Sequence, residues 1–211
     1  MNASAVVIGA SGRIGAATEA ALIDEGAYGR VYGFARSRSG VDHLDILDEH
    51  SIAAAALRVA AGPAPSLVIV ATGYRASAEA SVADLDRDRM AEGFAVNAIG
   101  PALVAKHFLP LLEKSGTPVF AMLSARDASL TDNRLGGAYG YRASKAALNM
   151  LAKTLAIEST RSGQRAAIVA IDPGTGPDPE RTALQLLDAI EGLGIRDSGK
   201  FLSWDGTEIA P

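Results

Sequence analysis

Cysteine is missing from all 211 residues, so neither a disulfide framework nor a thiolate metal site can form. That is compatible with the reducing cytoplasm, where the chain is expected to act. Aromatic residues make up only 5% and tryptophan occurs once. Such a composition suits close packing of helices on a sheet better than an aromatic-rich β-sandwich. A positive excess is lacking too. The formal charge is −4 and the pI near 5.4, which leaves no electrostatic footprint for nucleic acid or anionic lipid, and neither is expected as a partner. His43, His50 and His107 are scattered without ligand spacing, so no metal is expected. No stretch approaches the 18 or more apolar residues that cross a bilayer, and the start Met1-Asn-Ala-Ser-Ala has no basic leader region. Neither a membrane nor export is expected.

What is present is a 48% hydrophobic chain with abundant alanine and glycine, enough to bury one core over 1–211 without a second domain. The apolar run Ala3 to Ile8 reads as a buried parallel strand ending at Gly9-Ala-Ser-Gly-Arg-Ile-Gly15. Ala16 to Ile23 then reads as a helix closing near Gly26. A strand, a glycine turn and a helix, in that order, can bring unpaired amides and a positive dipole end to a pyrophosphate. Glycine also serves tight turns on sterics alone, and the spacing is G-x-x-G-x-x-G, not the standard G-x-G-x-x-G. Val31 to Ala35 reads as the second strand. Its end carries Ala35-Arg36 and no acid before Asp42, which favours a 2′-phosphate, hence NADP over NAD, although a solvated basic loop has the same look.

Leu44 to Ile46 reads as a short third strand and Asp48 to Ala61 as an alanine-rich helix. Leu67 to Ala71 is another buried strand, delivering Thr72-Gly73 to the carboxyl edge of the sheet. Arg75 to Asp88 reads as an irregular polar connection, and 89–113 as a helix interrupted by Asn97, a residue that when buried normally satisfies backbone groups. Pro118 to Leu123 is a strand ending at Ser124, and Ala166 to Ile171 a strand closed by Asp172-Pro-Gly-Thr175. Arg181 to Gly192 reads as a helix and Lys200 to Trp204 as a last short strand. Strands alternating with helices throughout predict an α/β fold, a doubly wound, mostly parallel sheet with helices on both faces.

Between these strands lies Tyr139-Gly-Tyr-Arg-Ala-Ser-Lys145. Tyr141 and Lys145 are four apart, so on a helix they share one face. A phenol is a poor acid or base near neutrality, and an ammonium beside it favours the phenolate, which makes the pair capable of proton chemistry on a carbonyl or alcohol oxygen.

A glycine turn after the first strand, then Asn97, Ser124, Tyr141-x-x-x-Lys145 and Pro173-Gly174, in that order, resembles the short-chain dehydrogenase/reductase family over nearly the whole chain. The run Asp132 to Met150 and the ending Ser198 to Gly206 are similar to the branch of the bacterial C-factor signalling protein. The resemblance implies a single Rossmann domain and an NADP-dependent oxidoreductase that interconverts a carbonyl and an alcohol. Within it Tyr141 would be the acid/base and Lys145 would lower its pKa and hold the nicotinamide ribose. Ser124 would bond the substrate oxygen, with Ser129 the second candidate, and Asn97 would kink its helix and anchor a relay water. Gly9, Ser11, Gly12, Arg13, Ile14 and Gly15 would cradle the pyrophosphate and Arg36 the 2′-phosphate. Asp45 and Ile46 would face the adenine, and Thr72, Gly73, Pro173, Gly174 and Thr175 the rest of the cofactor. A small carbonyl or alcohol substrate and a homodimer or homotetramer are implied as well. Three departures stand out: Ala71-Thr-Gly-Tyr74 replaces the usual Asn-Asn-Ala-Gly, Ala125 occupies the position where many members carry the serine, and the segment after Gly174 is short. They leave open a second reading, an NADP(H)-binding sensor or signalling protein with little catalysis.

Overall fold

The computed structural model describes residues 3–75 and 79–211. Its centre is one sheet of six strands: β1 (Ser4–Ile8), β2 (Arg30–Phe34), β3 (Pro65–Val70), β4 (Val119–Leu123), β5 (Ala167–Asp172) and β6 (Phe201–Ser203). They lie in the order β2-β1-β3-β4-β5-β6, every pair parallel. Parallel neighbours need crossovers, and the helices supply them: α1 (Arg13–Glu25), α2 (Glu49–Ala60), α3 (Arg87–Phe94), α4 (Gly100–Phe108), α5 (Tyr139–Arg161) and α6 (Pro179–Glu191).

Alternation along β1 shows how both faces are filled. Val6 and Ile8 join Phe34, Ile52, Val104 and Leu148 on one face, while Ala5 and Val7 join Leu22, Ile69, Leu186 and Ile190 on the other. Strands buried on both sides read as continuous apolar runs, which is why their sequences revealed them. The chain leaves β1 for β2 on one side and returns to β3 on the other. The order therefore reverses between β1 and β3, and a crevice opens beyond their carboxyl ends.

Some boundaries differ from the sequence reading. The expected strand Leu44–Ile46 is absent: a single bridge joins Ala35 to His43, and the Leu44 amide donates to the Ala35 carbonyl. A short 3-10 turn at Gly40–Asp42 precedes the bridge, and the Asp45 carboxylate then captures the Leu47 amide, turning the chain into α2 before a ladder can form. Helix α6 starts two residues early, with Pro179 in its first turn and Asp178 capping the amides of Glu180 and Arg181. The irregular connection expected over 75–88 includes 76–78, which lie outside the described residues, as do Met1 and Asn2 of the expected leaderless start; α3 already begins at Arg87.

The expected helix 89–113 is a continuous helical run over Arg87–Leu111 with a π-turn at Ala95–Ile99. Contrary to the sequence reading, this run is long and apolar enough by length and composition to cross a bilayer. In the fold it covers the sheet, with Val104, Ala105 and Phe108 fully buried and neighbours α2 and α5 beside it.

Candidate active site

The turn after β1 is shaped by what its glycines lack. Gly9 has φ +92°, and a Cβ there would lie 2.9 Å from the carbonyl carbon of Ala71. A Cβ on Gly15 would collide with the carbonyl oxygen of Gly9, so the first turn of α1 rests directly on the loop. Gly12 is the helix cap, extended and without a side-chain bond, which leaves the leading amides of α1 open. Across the crevice the Thr72 hydroxyl is buried without a partner among the described residues. Open amides, a side-chain-free cradle and an unpaired hydroxyl fit the phosphates of a dinucleotide. Ser11 is exposed at the cradle and Ile14 packs on the core. Arg13 is committed elsewhere: its guanidinium donates to the carbonyls of Gly176 and Pro177, 2.8 Å each, and ties the short segment after β5 to α1.

Past β2, Arg36 is exposed. Arg38 is paired with Glu19 of α1 and donates to the Gly33 carbonyl at 2.7 Å. The Glu19 carboxylate takes the room that a side chain on Gly33 would fill. Asp45 is half-buried and spent on the Leu47 amide, while Ile46 is buried against Gly100, whose Cβ would lie 2.5 Å from it.

Asn97 sits in the π-turn, fully buried. Its Oδ1 accepts from the Tyr74 amide at 2.7 Å, and its Nδ2 donates to the Tyr74 carbonyl and the Ser144 hydroxyl. The widened turn thus lashes the end of β3 to α5. Gly73 is drawn in with it: a Cβ there would come within 4 Å of both Asn97 Oδ1 and Lys145 Nζ. Lys145, 3% exposed, donates to the Leu123 carbonyl at 2.6 Å. Burial pulls its pKa down to about 8, against a smaller opposing pull from Asp172. Asp172, at the end of β5, accepts from the Gly174 amide, and burial raises its carboxyl above the usual range. Gly174 has φ +77° and is covered by Trp204, which would stand 2.9 Å from a Cβ. Pro173, Gly174 and Thr175 therefore form a short bridge between β5 and the segment that Arg13 holds.

Tyr141 is half-buried in the first turn of α5, and its phenol is raised by burial, with the opposing pull coming from Arg75. The Arg75 guanidinium lies 4.6 Å over the centre of the Tyr141 ring and pairs with Asp127 at 3.2 Å, and Asp127 also holds Arg142 at 3.2 Å. The Ser124 hydroxyl donates to Asn149 of α5 at 2.6 Å. Ser129 donates to the Ala210 carbonyl and accepts from the Asp132 amide, a role in holding the chain's last residues. Sequence reasoning missed Arg75 and Asn149, and it assigned Arg13 to the pyrophosphate where the fold spends it on the carbonyls of Gly176 and Pro177. Arg75 stood beside a motif but with no periodic pattern to mark it, and the contact of Asn149 with Ser124 spans 25 residues.

Comparison with known proteins agrees with the fold. A family model described as enoyl-(acyl carrier protein) reductase matches residues 14–184. The C-signal protein of Myxococcus xanthus is 35% identical over 139 residues, covering 61% of this chain and 82% of that protein. A 1-hydroxy-2-glutathionyl-2-methyl-3-butene dehydrogenase of a Rhodococcus species is 31% identical over 140 residues, 60% of each chain. The NADPH-bound carbonyl reductase from chicken fatty liver superposes with a TM-score of 0.81 at 26% identity, over 99% of this chain and 94% of that one. The chain belongs to the short-chain dehydrogenase/reductase family of NAD(P)-dependent oxidoreductases.

Proposed function

We propose that the chain is an NADP-dependent reductase that interconverts a small carbonyl and its alcohol, with Tyr141 as the proton donor and acceptor. The observation that carries this reading is the buried ammonium of Lys145 one helical turn from Tyr141, held by the last carbonyl of β4. Bound across the glycine cradle, the dinucleotide would supply the hydride in reduction and take it up in oxidation. Tyr141 then gives its hydroxyl proton to the oxygen of the reduced carbonyl, and must be reprotonated before the next turnover. A lysine brought to about 8 releases a proton near neutrality far more readily than one at its usual 10.5, which suits Lys145 to that resupply. Asn97 keeps Tyr74, Gly73 and α5 in register around it. Exposed Arg36 beyond β2 supports NADPH over NADH, and the NADPH-bound avian carbonyl reductase supports the same cofactor and substrate class.

The test is Tyr141→Phe. Carbonyl reduction by the purified protein should fall by roughly a hundredfold or more in kcat/KM while NADPH binding by calorimetry is kept. Undiminished turnover would sink the mechanism. A second reading has its own observation. The Ser124 hydroxyl is taken by Asn149 and the next residue is Ala125, so the usual donor to the substrate oxygen is weakly provided. It describes an NADP(H)-binding sensor or signalling protein. NADPH binding with no consumption across a broad panel of aldehydes, ketones and quinones would favour it.

A further inference from the structure

We propose that Arg75 is a further cation, besides Lys145, that stabilises the negatively charged form of Tyr141, and so is a positioning residue for its proton transfer. The inference rests on the reading of Tyr141 as acid/base. Its guanidinium lies over the ring face, 4.6 Å from the centroid, where a fixed cation meets the electron density of the ring and the charge a phenolate spreads into it. Arginine does not lose its charge at any working pH. Lys145, by contrast, points its ammonium at the Leu123 carbonyl, deep beside Gly73 and Asn97.

The placement of Arg75 is built rather than incidental. Asp127 holds it at 3.2 Å, and Asp127 is itself fixed by Arg142, the residue after Tyr141. Arg142 also donates to the carbonyls of Gly137 and Asp127, so the anchor belongs to the turn that launches α5. One carboxylate shared between two guanidiniums neutralises neither completely. The other charges around the tyrosine come from five elements, among them Arg89 of α3, which lines the same cleft as Arg75 and Tyr141. Asp172 on β5 and Asp127 in the turn after β4 oppose its ionisation, with Arg126 acting on Asp172. Lys145 lies one turn along α5, and the buried Glu79 carboxylate accepts from the Gly140 amide at 3.3 Å at the helix start. Against this mixed background, Arg75 is the cation stacked on the ring.

The experiment reads Tyr141 itself. With tyrosine labelled at the ring carbon bearing the hydroxyl, NMR titration follows each phenol, and Tyr141→Phe identifies the resonance. Arg75→Gln should move the Tyr141 midpoint upward by about half to one pH unit, a three- to tenfold weaker acid, and Arg75→Lys should restore most of it. In alcohol oxidation the rising limb of kcat/KM, which needs the phenolate, should shift to higher pH in step. A midpoint unchanged in Arg75→Gln, or displaced equally in Arg75→Lys, overturns the assignment, because a purely structural arginine would not follow its charge. A protein that oxidises and reduces nothing sinks the reductase reading, while the titration still decides the role of Arg75.

Discussion

Lys145 donates to the Leu123 carbonyl, its protein acceptor among the described residues, and is otherwise shut away from water. Burial disfavours its charged form, so the folded pKa of about 8 lies below the 10.5 of an exposed lysine. Below pH 8 both states hold the proton and the cost to folding is present in full. Between about 8 and 10.5 the unfolded chain keeps a proton that the folded chain has shed, so stability rises with pH across that window. Lys145→Met removes this dependence. The native-minus-variant difference in urea unfolding free energy should shift in favour of the native chain by roughly 2–3 kcal/mol between pH 7 and pH 10. A constant difference would show that the ammonium is not held in this environment. Measurements stop at pH 10 because Tyr141, raised by burial, then adds a term of the opposite sign. At this scale the spacing of Tyr141 and Lys145 was legible, since four residues on one helix fix their shared face. The cation over the ring was not, because Arg75 arrives from the end of β3 and its position is set by Asp127 in another connection.

Elements were legible where both faces of a strand are buried, and failed where a side chain competes with the ladder. Leu44 to Ile46 has the composition of a strand, yet the carboxylate of Asp45 bends the chain two residues later. The loop this creates after β2 sorts its two arginines. Glu19 of α1 fits beneath side-chain-free Gly33 and claims Arg38, which leaves Arg36 exposed at the strand's end. An arginine with exposed N–H groups there suits a phosphate on the ribose. Arg36→Ala should therefore weaken NADPH binding by roughly ten- to a hundredfold and leave NADH binding nearly unchanged, measured by calorimetry. NADH bound more tightly than NADPH by the native chain would reject the assignment. The π-turn at 95–99 was only half legible. Asn97 marked the place, but the wider turn follows from the need to reach both polar groups of Tyr74 and the Ser144 hydroxyl at once.

The doubly wound sheet was readable across the whole molecule because alternating strand and helix patterns admit few parallel topologies, and the comparisons agree with it. What covers its outer helices is a separate matter. The outward faces of the π-turn and α5 present Ile99, Met150 and Ile157, exposed by 55%, 67% and 43%. Met150 and Ile157 are seven residues apart, two turns along a single stripe. Elsewhere on these helices, α4 and the end of α5 frame a hollow of about 760 Å³ that reaches Lys106, Leu109 and Leu155. Large apolar side chains gathered on neighbouring helices are the kind of surface that a second copy covers across a two-fold axis. We propose on these grounds that the chain is a homodimer or homotetramer built through α4 and α5. Met150→Glu would place a charge in such an interface at both copies. It should lower the sedimenting mass toward 21.7 kDa at micromolar concentration and weaken association at least tenfold, while the far-UV spectrum is kept. A native chain that sediments as a monomer at every concentration would leave the stripe without this explanation. If the variant instead assembles like the native chain, the contact lies on another face.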